Sequence, residues 1–268
     1  MITTFKSVYG PVKSWRYGRS LGIDPIGRIS TCSFNCVYCQ LGEIERKTKD
    51  LQVFVATGKI IAELKTFNLD DVDVITISGS GEPTLAANLG EIITKIKTIT
   101  NKPVIVLTNG TLLSNPEVRQ NLSLADRVAV KLDGISEGML KRIDRPVAGI
   151  EWENIIAGIK QFRSEFRGFM GIQTMIFNPW DDNKKAAFID LMRSIVPEEI
   201  QLNTPSRPKP LKRQLDGRGN HSSADRRSYP VINFRQVEGE LVRAFAEEIS
   251  SLTGINCVFR PIEANICK

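Results

Sequence analysis

Three of the chain's five cysteines fall within eight residues, in the stretch "STCSFNCVYCQLG": Cys32, Cys36 and Cys39, at C-x3-C-x2-C spacing. Thiolates are soft ligands for zinc and for iron–sulfur clusters. A structural zinc site wants four protein ligands, usually as two separated pairs. This loop offers three, and His221 and Cys257 are far along the chain. An iron–sulfur cubane held by three thiolates keeps one iron free for another ligand. The odd, clustered cysteines do not read as a disulfide framework. A catalytic cluster is therefore the leading reading, and a zinc-stabilised RNA-binding module is its non-enzymatic alternative.

Other chemistry-bearing residues sit in short polar or glycine-rich segments: "SGSGEPT", "LTNGT", "VKLDG" and "QLNTPSRP". Each follows a strand-like run. Strands are expected over 72–79, 103–110, 127–134, 168–177 and 198–205, with 19–26 before the cysteines as a sixth. Helical spacing of apolar residues appears over 53–67, 88–99, 115–122, 151–166 and 183–195. Repeated strand–helix units imply parallel pairing through crossovers. The expected class is α/β, either an open barrel or a doubly wound sheet, with an added C-terminal helix (235–254) and strand (255–262). In both architectures chemistry collects at the carboxyl ends of the strands. Glu82, Asn109, Lys131, Asp133 and Asn203 all fall there.

Composition is that of an ordinary globular chain: 268 residues, 41% hydrophobic and 25% charged. No apolar run reaches the roughly 18–20 residues that span a bilayer, and the N-terminal residues have no apolar signal-like core. A cytoplasmic protein, with no membrane association, is expected. The net charge of +6 is concentrated between Thr204 and Pro230, where seven Lys or Arg face two Asp. The organisation expected is a core over 1–205, a basic Pro/Gly-rich loop or lid over 206–234, and a C-terminal extension of the same domain over 235–268.

The cysteine spacing, with Tyr38 just before the last thiol, resembles that of the radical S-adenosylmethionine superfamily. The resemblance implies a partial (β/α)6 barrel, in agreement with the six strands counted above. It also implies one 4Fe–4S cluster on Cys32, Cys36 and Cys39, with S-adenosylmethionine bound at the open iron. One electron from a flavodoxin- or ferredoxin-type donor would then release a 5′-deoxyadenosyl radical that takes hydrogen from a substrate. By the same resemblance Gly79, Ser80, Gly81 and Glu82 hold the methionine end, Lys131 and Asp133 lie toward the ribose, and Tyr38 packs near the adenine. Asn109 and Asn203 are further cofactor candidates, Asn109 being equally suited to capping its own turn.

The stretches "YGPVKSWRYGRSLGIDPIG" and "QLNTPSRP" resemble the branch related to the tRNA wyosine synthases, which implies a tRNA base as substrate. Arg16, Arg19 and Arg207 would then meet anionic substrate groups. The chain departs from that branch in having no cysteine before Cys32 and none between Cys39 and Cys257, so a second cluster has no ligands. An alternative substrate is a protein, as for glycyl-radical activating enzymes. The basic segment has the charge for phosphate contacts but one aromatic, Tyr229, for base stacking. A monomer is expected. Cys267, near the C-terminus, is a candidate hydrogen donor or covalent catalyst.

Overall fold

A computed structural model describes residues 5–219 and 228–260. His221, Arg226, Arg227 and Cys267 lie outside these residues. Eight strands form one sheet, in the order β1-β2-β5-β6-β7-β8-β9-β12. They are β1 (Val8–Ser14), β2 (Gly18–Ile23), β5 (Val74–Ile77), β6 (Val104–Thr108), β7 (Arg127–Lys131), β8 (Phe169–Met175), β9 (Glu199–Asn203) and β12 (Asn256–Phe259). Four two-residue strands make minor pairings: β3 (Thr31–Cys32) with β4 (Arg46–Lys47), and β10 (Lys209–Pro210) with β11 (Val231–Ile232). Every pairing in the large sheet from β2 to β12 is parallel, and only β1 runs antiparallel, to β2. The sheet is an open partial barrel, with β1 and β12 as its edges.

Helices α1 (Thr57–Leu64), α2 (Leu89–Ile99), α3 (Pro116–Leu122), α4 (Glu137–Ile143), α5 (Trp152–Glu165), α6 (Asp182–Ile195) and α7 (Gly239–Thr253) connect the strands. One strand face is aliphatic and supports these helices. Leu21, Ile23, Ile75, Ile77, Val104, Val106, Val128, Val130, Ile172 and Leu202 all belong to a single buried cluster with the helical Ile92, Ile96, Ile159, Phe162 and Phe188. The alternate residues, on the opposite face, are mostly small or polar, among them Ser20, Gly22, Thr76, Ala129, Lys131, Gln173 and Gln201, with apolar exceptions such as Ile105, Leu107 and Met175. The inner face is thus built for polar contacts and the outer one for packing.

The six parallel strands expected from sequence are present, each ending earlier than expected, and the C-terminal helix and strand extend the same sheet through the β12–β9 pairing. Two elements were not anticipated. Strand β1, "VYGPVKS", carries Gly10 and Pro11, which demote a strand in any sequence reading. Its place at a sheet edge explains why they are tolerated. Its Tyr9 ring lies over β2, so close that a Cβ on Gly22 would come within 2.3 Å of it. Helix α4 is only seven residues long, too short for a clear apolar period, and is capped by Ser136. The helix expected over 53–67 contracts to α1, because the chain bends at residues 54–55 before it and turns after Leu64. No helix among the described residues is long and apolar enough to cross a membrane.

Candidate active site at the cysteine loop

The loops after β2, β5, β6, β7 and β9 meet at the carboxyl ends of the strands. The cysteine loop is tied to each of the others. Thr31 bridges Gly81, Ser33 Oγ accepts from Asn109 Nδ2 at 2.8 Å, and Tyr38 Oη donates to Asp133 at 2.5 Å. Gln40 accepts from Arg207 Nη1 at 2.5 Å. Gly81 is required here: at φ +156° its position places an added Cβ 1.7 Å from the Thr31 carbonyl oxygen.

Cys32, Cys36 and Cys39 are all free thiols with partial exposure. Burial pushes each of them above the ordinary thiol range; Cys39 adds to the rise of both Cys32 and Cys36, while Lys209, Arg213 and Lys131 pull Cys39 back. Cys32 Sγ accepts from Phe34 N at 3.4 Å and from Asn109 Nδ2 at 3.6 Å. Such donors favour the thiolate. Among the described residues no three His, Cys, Asp or Glu side chains converge to hold a single metal ion. Thiolates bound to separate irons of a cluster need no common point, so the soft donor set fits a cubane.

Glu82 is 2% exposed. Its Oε1 accepts from Thr84 N, Thr84 Oγ1 and Thr108 Oγ1, and its Oε2 from Asn109 N at 2.7 Å. All four donors are neutral, and no ion pair to Glu82 forms among the described residues. Burial raises its pKa in spite of these bonds. Asn109 caps its own turn, its Oδ1 accepting from Thr111 N and Oγ1, and its amide donates to the Cys32 sulfur.

Lys131 pairs with Asp133 at 2.7 Å and with Asp144. Its ammonium also lies 5.2 Å from the Phe34 ring and 5.5 Å from that of Tyr38. Burial alone would depress Lys131, but the two carboxylates hold it well above the ordinary lysine value. Asp144 rises to about 6, because burial outweighs the pull of Lys131. Lys131, Asp133 and Tyr38 are thus brought together beside the cysteines. Asn203 ends β9 on the inner face, in register with Met175.

Gly79 and Ser80 face another partner. A Cβ on Gly79 would meet Asp24 at 2.4 Å, and Ser80 Oγ donates to Asp24 Oδ2 at 2.7 Å. Asp24 is the centre of a latch not foreseen in the sequence. It accepts from the Ile26 and Gly27 amides and from Arg218 Nη1 at 2.8 Å. Arg213 donates to Ser80 Oγ at 2.9 Å and stands 3.6 Å from Glu45. Lys209 lies 3.8 Å from Glu43. The basic segment is docked on the cysteine loop: Gln214 N donates to Leu41 O at 2.9 Å, and a Cβ on Gly42 would be 2.5 Å from Lys212 O. Of its five described cations, Lys209, Arg213 and Arg218 are engaged within the chain, whereas Arg207 and Lys212 are exposed.

Of the arginines assigned to substrate, Arg19 is a correction. It lies at the amino end of β2, away from the cysteines, in an exposed pair with Asp71 and Asp73. Arg16 and Arg207 do come together, along with Arg260, which the sequence reading missed.

A parallel open barrel with three thiols in the first loop and a buried carboxylate after the next strand defines a cluster-bearing, S-adenosylmethionine-using enzyme fold. The family model described as Radical SAM superfamily matches residues 27–192, and the chain belongs to that superfamily, whose cofactors are a 4Fe–4S cluster and S-adenosylmethionine. It is 54% identical over 263 residues to the UPF0026 protein slr1464 of Synechocystis, covering 98% of this chain and 99% of that protein. A probable GTP 3′,8-cyclase of Saccharolobus islandicus is 28% identical over 189 residues, covering 70% of this chain and 58% of its own. Among solved structures, Streptococcus suis SuiB bound to S-adenosylmethionine superposes with a TM-score of 0.59 at 13% identity, over 88% of this chain and 49% of that one. A radical SAM methyltransferase from Sphaerobacter thermophilus gives 0.58 at 15%, over 90% and 65%. These structures share the fold. The likeness to the wyosine-synthase branch rests on the motifs alone.

Proposed function

We propose that the chain cleaves S-adenosylmethionine reductively and uses the 5′-deoxyadenosyl radical to take a hydrogen atom from a substrate held in the barrel mouth. The observation that carries this reading is the buried Glu82 carboxylate, which has four neutral donors, no cation, and a place next to Cys32. A buried carboxylate without a counter-charge is costly, and the methionine ammonium of S-adenosylmethionine would supply that charge. Cys32, Cys36 and Cys39 would hold the cluster, which supplies the electron when bound. Asn109 hydrogen-bonds the Cys32 sulfur, Gly81 lets the carboxylate-bearing loop lie flush against the cysteine loop, and Tyr38 with Lys131 and Asp133 walls the side toward β7. The segment docked over the cysteine loop shields the site from water.

The substrate we infer is a small molecule. The tRNA reading depends on many cations of residues 206–234 reaching phosphates, and three of the five described ones, Lys209, Arg213 and Arg218, are instead engaged within the chain, which leaves Arg207 and Lys212 exposed. A small substrate accords with the name of the GTP 3′,8-cyclase relative. Anaerobically reconstituted protein should contain about four irons and four sulfides per chain and show a cluster signal altered by adding S-adenosylmethionine. It should not shift tRNA at low salt, where phosphate contacts are strongest. Zinc in place of iron would overturn the catalytic reading, and a tRNA shift would overturn the small-molecule one.

A further inference from the structure

Three guanidinium groups act on one another across the open sheet, and Arg260 hydrogen-bonds Ser206, the neighbour of Arg207. Arg16 lies in the turn between β1 and β2, Arg260 directly follows β12, and Arg207 follows β9 by four residues. Arg16 is lowered by burial, with Arg260 contributing. Burial and then Arg260 and Arg16 push Arg207 down to about 10. Because Arg207 as a whole keeps an exposed surface, the like charges are the firmer of its two causes.

The partners available to this trio are mostly neutral. Arg207 donates to Gln40, Arg260 to Ser206, and Arg16 lies 5.2 and 5.6 Å from the Trp15 and Tyr17 ring centroids. The Tyr17 hydroxyl, 3.3 Å from Gln201 Nε2, fixes that turn against β9. Arg16 Nε is buried with no hydrogen-bond partner. Among the described residues, Glu199 is the carboxylate that acts on Arg16, and it already accepts from Gln201 Nε2 at 2.6 Å. Among the described residues, the three guanidiniums therefore meet one carboxylate, and Arg16 keeps a buried donor without a protein acceptor. Self-repulsion of this kind persists where a ligand relieves it.

We propose that Arg16, Arg207 and Arg260 form an anion site that binds the phosphate group of the substrate, with Gln40 joining the site to the cysteine loop. Guanidinium forks match phosphate oxygens bidentately, and a phosphate ester's double negative charge balances the excess. Calling the bound group part of the substrate rests on the function proposed above; the binding of phosphate does not.

The test is calorimetric titration of the full chain, as purified anaerobically and after cluster reconstitution, with inorganic pyrophosphate and separately with malonate. Pyrophosphate should bind in both preparations, with affinity falling as salt rises. Arg16→Gln and Arg260→Gln should each weaken it at least 10-fold, Arg16→Lys should restore part of the loss, and Arg19→Gln should change nothing. Melting curves of each variant show that the fold is retained. Absence of pyrophosphate binding, equal weakening by Arg19→Gln, or preference for malonate would overturn the assignment. Pyrophosphate binding without S-adenosylmethionine cleavage would sink the proposed function and leave this site standing. Cleavage without pyrophosphate binding would do the reverse.

Discussion

Two regions of this molecule hold buried charge, and they treat it in opposite ways. Around Asp24 every charge is answered. The carboxylate, 0% exposed, takes Arg218, the Ser80 hydroxyl and two backbone amides. Around the barrel mouth Glu82 is as deeply buried, yet only neutral donors reach it, and three arginines crowd one another with a single carboxylate nearby. The first region behaves as a latch that fastens the basic segment to the strand ends. The second has the imbalance expected where ligands of opposite charge complete the site.

The contrast can be broken most forcefully at the latch. Asp24→Ala leaves the buried Arg218 charge without its carboxylate, with only the Lys6 and Leu215 carbonyls to accept from it, and should cost about 3–5 kcal/mol. For a chain of this size that lowers the melting temperature by about 10 °C in a thermal scan. If Asp24→Ala melted like the parent protein, the latch would not be structural.

At the mouth the same kind of substitution should act on binding. Glu82→Gln removes a charged acceptor and should weaken S-adenosylmethionine by roughly 10–100-fold, the worth of a hydrogen bond to a charged group. The pH dependence has a definite sign. Burial raises Glu82 above its ordinary 4.5, and the cationic ligand binds the deprotonated form. Affinity is therefore full well above that raised value and is lost as pH falls through it, a slope measurable by equilibrium dialysis. In Glu82→Gln this contribution should vanish. A retained slope would assign the titration to another group.

A smaller effect sharpens the comparison further. Arg260→Gln relieves repulsion within the trio, so its stability should match or slightly exceed the parent's, within about 1 kcal/mol by denaturant titration. A loss as large as that of Asp24→Ala would make the trio a structural cluster. Smallest of all is Arg19→Ala. Its ion pairs are exposed, so neither the melting temperature nor the iron content should change measurably.

How much of this was legible in the sequence follows from how local each feature is. The cysteine loop, the Gly81–Glu82 turn and the six parallel strands are encoded in runs of fewer than ten residues, and they appear where the β-branched runs and spacing place them. The latch was not legible, because Arg218 and Asp24 are 194 residues apart and composition alone made the basic segment look solvated. Arg16 and Arg19 looked equivalent at three residues' separation. Both lie at the amino end of β2, but Arg19 shares its strand face with Leu21 and Ile23 and pairs with Asp71 and Asp73, whereas Arg16 feels the charges of Arg260 and Glu199. Arg260, in "VFRPI", gave no signal because its role depends on β12 joining β9.

The most direct test of the account is the formation of 5′-deoxyadenosine. Iron-loaded protein, reduced with dithionite and given S-adenosylmethionine under anaerobic conditions, should produce 5′-deoxyadenosine and methionine in equal amounts, and Cys36→Ser should produce neither. An iron-loaded parent protein that leaves S-adenosylmethionine intact, or a Cys36→Ser variant that cleaves it equally well, would contradict the assignment.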